Sequence, residues 1–268
     1  MTGLRRFIVT RAKPIVWLSM AAWIGSIAYA LSAGARPRPS WLLAIAVLFF
    51  GTATLVTWAR AQRERAVREG PLPQFLKRKL REAHPQLDGR DCDLVERGFR
   101  QYFLACVRSN GKFVAMPSKA VDAYWHEFIL HTRAYAAWCD LALGRFLHHT
   151  PAEALGASAS DNDGLRRAWF WSCREESIQP RKPSRLPLLF ALDRKLAIAG
   201  GFIYVTDCQG VPERLGIGAM PGSSGVHCAG DFGDGGIAGD AEGMGGADTS
   251  SDGSGDGGGD GGGGCGGD

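Results

Sequence analysis

The sequence predicts a mainly α-helical protein in three parts: a two-helix transmembrane hairpin, a small helical domain, and a disordered tail rich in glycine and aspartate. Three observations predict this organisation. Two uncharged apolar runs lie near the N-terminus, the middle of the chain carries apolar residues at helical spacing, and the last forty residues contain nineteen glycines and nine acidic residues. No series of alternating apolar and polar residues indicates a sheet. We therefore expect the hairpin over residues 1–69, the helical domain over 70–208 and the disordered tail over 209–268.

The two apolar runs, residues 15–33 and 41–59, are each long enough to cross a bilayer as a helix, and about seven residues separate them. Basic residues are concentrated outside the pair of runs: four precede the first and eight follow the second within residues 60–81. The positive-inside tendency therefore predicts a multi-pass protein of the inner, cytoplasmic membrane with both termini in the cytoplasm. Neither run contains an acid or a histidine, which favours an anchor over an ion pathway.

An alternative is that the first run is a cleaved signal peptide, with Ala33-Gly34-Ala35 as the cleavage site. Its apolar core is longer than that of an ordinary signal peptide. The basic stretch of residues 60–81 also has two interpretations. It either contacts anionic lipid headgroups, where each cation near the surface contributes about 1 kcal/mol, or it is a solvated linker. We expect it to extend the second helix to Glu69, to stop at Gly70-Pro71 and then to resume as a helix.

The most informative pattern lies within residues 116–151. Ser118 can cap a helix, and Gly144 ends or kinks it. Between them, one set of residues recurs at spacings of three and four, which predicts one long amphipathic helix with these residues on its apolar face. The set is Val121, Trp125, Phe128, Thr132, Tyr135 and Cys139.

Shorter elements flank this helix. A helix opened by Asp93 and Glu96 should run to about Arg108, and Asn110-Gly111 should then turn the chain. The remaining expected elements are an extended piece over 112–116, a short helix starting at Pro151, helices over 165–178 and 186–199, and an extended piece over 202–205.

A metal site is one interpretation of the central stretch. Asp122 and His126 are four residues apart and can meet on one face of a helix. Together with His131, either His148 or His149 and, with less support, Cys139, they are competent zinc ligands. However, the chain has no CxxC or HExxH pattern, and His126 and Cys139 would be about 20 Å apart on an unbroken helix. The alternative is that His126 is a buried or half-buried histidine hydrogen-bonded to Asp122 and that Cys139 is a small core residue, so that no cofactor is expected.

The same stretch resembles the glycine-rich domain-containing (GRDP-like) family over roughly residues 90–155, and the glycine-rich tail agrees with this. The motif residues are Pro117, Ser118, Val121, Asp122, Trp125, His126, Ile129, Leu130, Thr132, Tyr135, Trp138, Cys139, Gly144, His148, His149 and Pro151. The resemblance implies a helical domain and brings no catalytic residues. The motif positions that could bind a ligand are Asp122, Trp125, His126, Thr132, Tyr135, Cys139 and His149.

Charge and cysteine usage restrict the choice of partners. Nine of the 27 acidic residues follow Cys228, which leaves 18 against 31 basic residues in the rest of the chain. A basic body with an acidic tail can associate with itself or with anionic lipid. No RNP-type aromatic pattern or Gly-Arg repeat is present, so no nucleic-acid partner is expected. The seven cysteines are odd in number and irregularly spaced, which favours reduced thiols in a cytosolic domain.

These observations favour a non-enzymatic interaction or scaffold module, anchored in the bilayer and binding an unidentified protein partner through its helical domain. The alternative is a metal-binding or metal-assisted hydrolytic domain that uses the region of Asp122, His126 and His149. Bound zinc would distinguish the second from the first.

Overall fold

The computed structural model describes residues 3–34, 39–150, 163–206, 226–228 and 246–248, and within these ranges the chain is mainly helical, as predicted. The helices are α1 (Gly3–Ser32), α2 (Pro39–Glu69), α3 (Phe75–Ala83), α4 (Gly89–Arg108), α5 (Lys119–Leu130), α6 (Thr132–Leu143), α7 (Asp163–Glu175) and α8 (Leu188–Lys195). The strands are β1 (Val114–Ala115), β2 (His148–Thr150), β3 (Ile203–Val205), β4 (Val226–Cys228) and β5 (Gly246–Asp248).

The strands form two small sheets at the edge of the helical body. β5 lies between β1 and β2 and is antiparallel to both, whereas β3 and β4 pair in parallel. The extended pieces predicted over 112–116 and 202–205 are confirmed as β1 and β3. The two described segments of the tail are both strands. The rest of the predicted disordered tail, and the helix predicted from Pro151, lie outside the described residues.

The helices α1 and α2 pack against each other and keep most of their apolar surface outside the body. Their apolar segments, Pro14–Ser32 and Leu43–Glu69, each have a mean hydropathy of 1.6. In the most apolar 18-residue stretch of the first segment 0% is buried, and in that of the second 6% is buried. Both helices are therefore long and apolar enough to cross a membrane. The predicted apolar runs do not fold into the interior of the body.

The body is built around α4, which contacts α2, α3, α5, α6, α7 and α8. Its aromatic side chains are fully buried and meet those of α5 and α6. Phe103, for example, packs edge-to-face against Trp125 and against Trp138. Gly98 allows α8 to come close, since a Cβ there would lie 2.4 Å from Cδ1 of Leu192. The core consequently lies between the α5–α6 pair and the α7–α8 pair.

The start of α4 lies earlier than predicted. Asp88 caps the helix and forms a reciprocal capping box with Asp91, with N···O distances of 2.7 and 3.0 Å. The backbone N–H groups of Asp88 and Asp91 both gain an acceptor in this capping box, which favours the earlier start of the helix. Asp93 and Glu96, which were expected to open the helix, instead bind Lys77 of α3 at 2.7 and 2.8 Å.

The long central helix that was predicted is divided at His131, which has φ −91° and ψ 62°. The Nδ1 atom of His131 lies 3.0 Å from the carbonyl oxygen of Glu127, so the side chain competes with the backbone for a helical acceptor. Thr132 is exposed, although its spacing predicted a buried position, and the other five residues of the predicted face are buried. Gly144 ends α6 with φ +71°, as predicted.

The last two described helices are shorter than their apolar patterns suggested. α7 ends at Glu175, and Ser177 then adopts φ +56°. α8 starts after Pro187 and ends at Lys195, since Ala197 adopts φ +49°. A left-handed residue cannot continue a right-handed helix, so the apolar residues beyond these points pack from turns.

The C-terminal part of α2 is bound firmly to the body. Arg100 of α4 donates to the carbonyl groups of Val67 and Gly70 at 2.7 and 2.8 Å, which satisfies acceptors at the end of α2. Helix α2 ends at Glu69, as predicted, and α3 resumes after the Gly70-Pro71 stop.

An ion-pair network adds a second link between α2 and the body. Arg108 bridges Glu64 of α2 at 2.7 Å and Glu175 of α7 at 2.8 Å, and Arg68 of α2 also reaches Glu175 at 2.8 Å. The Arg108 and Glu64 side chains are only 13% and 18% exposed, so solvent screens this network less than surface pairs. The stretch after the second apolar run is therefore part of the folded body, and its interpretation as a free solvated linker is wrong.

Candidate functional site

Asp122, His126 and His149 converge on one face of the body. Asp122 and His126 occupy successive turns of α5, and His149 lies on β2, after α6 has returned the chain. One ligand atom from each residue lies within 4.8 Å of the other two. His149 Nε2 is 2.9 Å from Asp122 Oδ1, and His126 Nδ1 is 3.7 Å from Asp122 Oδ2. Three of the residues that the sequence singled out are thus brought together.

The cluster opens to solvent on one side. The His149 side chain is 12% exposed, that of Asp122 29% and that of His126 52%. The His149 ring packs edge-to-face on Trp125, with ring centroids 4.6 Å apart, and the two imidazole rings are 4.3 Å apart. The inner wall is therefore fixed by packing, and the outer wall is formed by His126, which a ligand or water can approach.

The hydrogen bond that the sequence predicted between Asp122 and His126 is absent from this site, since 3.7 Å exceeds a hydrogen-bond distance. Asp122 is bonded to His149 instead. The side chain of His126 is 52% exposed, so His126 is not the buried histidine that was one of the two expectations. The prediction failed because the i, i+4 rule considers only neighbours on one helix, whereas the closer partner comes from a strand 27 residues away.

The N-terminus of α5 is fixed by a buried carboxylate, Asp193, that the sequence reasoning missed. Asp193 is 3% exposed. It accepts hydrogen bonds from the hydroxyl group of Ser118 at 2.6 Å and from the backbone N–H groups of Lys119, Ala120 and Phe202 at 2.8, 3.2 and 3.0 Å. Ser118 in turn accepts from the amide of Val121, as its role as a cap predicted. The feature of the sequence that could have identified Asp193 is the presence of an acidic residue within the apolar run of α8.

Tyr135 connects the two segments that carry the cluster. Its hydroxyl group accepts from Trp125 Nε1 at 3.0 Å and donates to the carbonyl oxygen of Leu147 at 2.6 Å, two residues before His149. Burial raises the pKa of Tyr135 well above its ordinary value, so this donor stays protonated. Tyr135 and Trp125 therefore hold β2 against α5, and neither side chain belongs to the cluster itself.

The remaining candidates lie elsewhere. The helix does break between His126 and Cys139, yet Cys139 is buried away from the cluster, and burial raises the pKa of its thiol to about 11. His131 stacks on Phe75, with centroids 3.9 Å apart, and His148 packs on Phe146. Cys139 is fully buried beside Tyr135 and takes no part in the cluster, so it is a core residue.

The arrangement has the composition of a metal site with open positions. A tetrahedral ion with bonds of about 2.1 Å holds its ligand atoms roughly 3.4 Å apart. The distances of 2.9 and 3.7 Å, which run to different oxygen atoms of Asp122, lie on either side of that value, and the set of one ligand atom from each residue lies within 4.8 Å. Two imidazoles and one carboxylate are the ligands of several catalytic zinc and non-haem iron sites, in which the remaining positions hold water or substrate.

Comparison with known proteins corrects one expectation from the sequence. No curated protein and no solved structure matches the chain. The resemblance to the GRDP-like family is wrong, since the family that matches is a different one. Much of the motif that suggested it consists of buried residues such as Trp125, Tyr135 and Trp138, so their spacing reflects the packing of α5 and α6. The model of the UCP032817-like family matches residues 62–232, which include the whole cluster, and the chain belongs to this family.

Proposed function

We propose that this protein is a membrane-anchored metal-binding protein, in which Asp122, His126 and His149 hold one divalent transition-metal ion. The observation that carries the proposal is the convergence of the three ligand atoms within 4.8 Å. A hydrogen-bonded Asp–His pair would account for Asp122 and His149 alone. It gives no reason for a second imidazole to lie with its ring 4.3 Å from the first.

The chemistry of the three side chains favours a transition metal over calcium or magnesium. Imidazole nitrogen suits zinc, iron, nickel and copper, whereas calcium and magnesium prefer sets of oxygen ligands. Three protein ligands leave room for at least one water, and a bound divalent ion can lower the pKa of that water and make it a nucleophile. Metal-assisted hydrolysis is therefore the class of reaction that the site can best serve.

The anchoring part of the proposal is supported by two apolar helices with exposed surfaces and by the position of the basic residues. We propose that α1 and α2 form a multi-pass hairpin in the cytoplasmic membrane. The basic residues that flank the apolar runs favour cytoplasmic termini and a cytoplasmic body.

Metal binding is tested on the full chain, purified in detergent, stripped with a chelator and dialysed. Zinc is then titrated in against a chromophoric competitor, and bound metal is measured by elemental analysis. We expect one zinc per chain. His149→Ala and Asp122→Asn should each weaken zinc binding by at least about tenfold, since the first removes a ligand and the second removes the negative charge of one.

His148→Ala is the matched control, because it removes the neighbouring imidazole of the same strand, which packs on Phe146 outside the cluster. It should bind zinc as the parent does. No stoichiometric zinc in the parent, or equal losses in His148→Ala and His149→Ala, would refute the proposed metal site.

A second candidate function is the interaction module that composition favoured, and one observation supports it. β5, a segment of the acidic tail, inserts between β1 and β2 and is paired with both. A body that accepts an extended segment in this slot could accept a partner's strand in the same way. Capture of a tail-derived peptide spanning residues 244–250 by a chain truncated before β5 would support this function, and absence of binding would count against it.

A further inference from the structure

A cavity of about 450 Å³ lies where the hairpin meets the body, and none of Asp122, His126 and His149 lines it. Its lining includes apolar residues of the hairpin, Ala12, Val56 and Ala59, and further apolar residues of the body. Three arginines also line it: Arg60 and Arg63 of α2, and Arg145, which follows α6. The cavity therefore combines an apolar lining with three cationic groups.

Arg63 is held in place without being fully satisfied. Its Nη2 atom donates to the carbonyl oxygen of Val9 in α1 at 2.8 Å. Its guanidinium group also packs over Gly144, where a Cβ would lie 2.5 Å from Nη2. Within the part of the chain that the structure describes, its buried Nε atom has no hydrogen-bond partner. Buried donors are rarely left unpaired, so this donor is available to an anion that enters the cavity.

The electrostatic field of the cavity favours an anion. Among the described residues that line it, none is an aspartate or a glutamate. Asp140 attracts Arg63 from nearby, and Glu64 lies 3.9 Å from Arg60. Glu64, however, is engaged more closely by Arg108 at 2.7 Å. The described lining of the cavity therefore carries three positive groups and no negative one.

The cavity also lies at the expected depth for a lipid headgroup. Val56 and Ala59 belong to the end of the second apolar run, and the arginines begin at the next residue. In a bilayer this boundary falls at the level of the phosphates. Arginine is well suited to phosphate because its planar group can donate two parallel hydrogen bonds.

We propose that this cavity binds the phosphate group of an anionic phospholipid, with the lipid's acyl chains along the apolar part formed by α1 and α2. The site rests on the anchoring part of the proposed function and is independent of the metal cluster. A soluble phosphate ester presents the same anion, but it has no apolar portion to occupy the hairpin side of the cavity.

The test uses the full chain in nanodiscs of phosphatidylcholine, alone or with a minor fraction of phosphatidylglycerol. Lipid retained on the chain after transfer to detergent is counted by native mass spectrometry. We expect retained phosphatidylglycerol in preference to phosphatidylcholine. Arg63→Gln and Arg145→Gln should each reduce its retention about tenfold, as expected for the loss of one charge-assisted contact.

Arg65→Gln is the matched control. It removes the same charge from the same helix, but Arg65 is 64% exposed and pairs with Glu69. Arg63→Gln also removes the hydrogen bond to the carbonyl oxygen of Val9, so a loss in this variant could come from a disturbed fold. Arg145→Gln leaves that hydrogen bond in place and therefore distinguishes loss of lipid binding from loss of structure.

The outcomes are separable. Equal losses in Arg65→Gln and Arg145→Gln would overturn the site in favour of general surface charge. Glycerol 3-phosphate that binds as well as phosphatidylglycerol would overturn the lipid and assign the cavity to a soluble phosphate ester. A chain that does not enter nanodiscs would refute the anchoring itself, which distinguishes that failure from a failure of the cavity.

Discussion

Replacing Asp193 by alanine should destabilise the body more than most single substitutions. The carboxylate is buried and is the common acceptor for one hydroxyl group and three backbone amides. Two of those amides open α5, the helix that carries Asp122 and His126. The variant leaves all four donors without their acceptor.

The cost follows from those donors. A buried donor that loses its partner costs about 1–3 kcal/mol, and the loss of a helix cap costs about 1 kcal/mol. The contributions are not additive, because water can enter the space and Ser118 can rotate. We therefore expect a loss of about 3–5 kcal/mol in the free energy of unfolding, the range typical of broken buried networks. Asp193→Asn keeps one acceptor oxygen and should lose less.

Unfolding of the full chain in detergent by urea, followed by tryptophan fluorescence, measures this loss. Asp163→Ala is the matched control, since it removes an acid at the start of α7 whose side chain is 58% exposed. Its effect should stay below about 1 kcal/mol, as for other surface pairs. If Asp193→Ala were as stable as Asp163→Ala, the buried carboxylate would not be what fixes α5.

Two further predictions concern the contacts of α2. Burial raises the pKa of Glu175, but hydrogen bonding from Arg68 and the charge of Arg108 outweigh it and hold this pKa below the ordinary 4.5. The ionised Glu175 therefore stabilises the fold fully above its ordinary pKa, and this stabilisation is lost as the pH falls through the lowered pKa. The melting temperature should fall on acidification below about pH 4.5, and it should fall less steeply in Glu175→Gln. Gly144→Ala should cost about 1–2 kcal/mol because of its φ of +71° and the contact with Arg63. Gly89→Ala, which meets nothing within 4 Å, should cost nothing, and equal melting temperatures of the two variants would contradict the role of Gly144.

Local features of the sequence predicted much of the fold. The two apolar helices, the end of α2 at Glu69 and the turn at Asn110-Gly111, where φ is +49° and +93°, depend on residues close together in the chain. The helix break at His131 was missed. Its cause is a side chain that competes for a backbone acceptor, and the apolar spacing continues through it.

The candidate site could be predicted only in part. Asp122 and His126 were paired by their spacing on a helix, and His149 was a candidate by its chemistry alone. Its approach to Asp122 depends on how α6 returns the chain. Asp193 and Arg100 act on segments about 75 and 30 residues away, and no local pattern records such contacts.

The unbroken course of α2 through its 31 residues has a mechanical consequence. Such a helix is about 46 Å long, so a change of about 10° in its tilt moves one end by roughly 8 Å relative to the other. Arg100 and the Arg108 network clamp the far end to the body, so the body must swing with it as one piece. With the apolar half of α2 embedded in a bilayer, as proposed, a change in bilayer thickness would reorient the face that carries Asp122, His126 and His149.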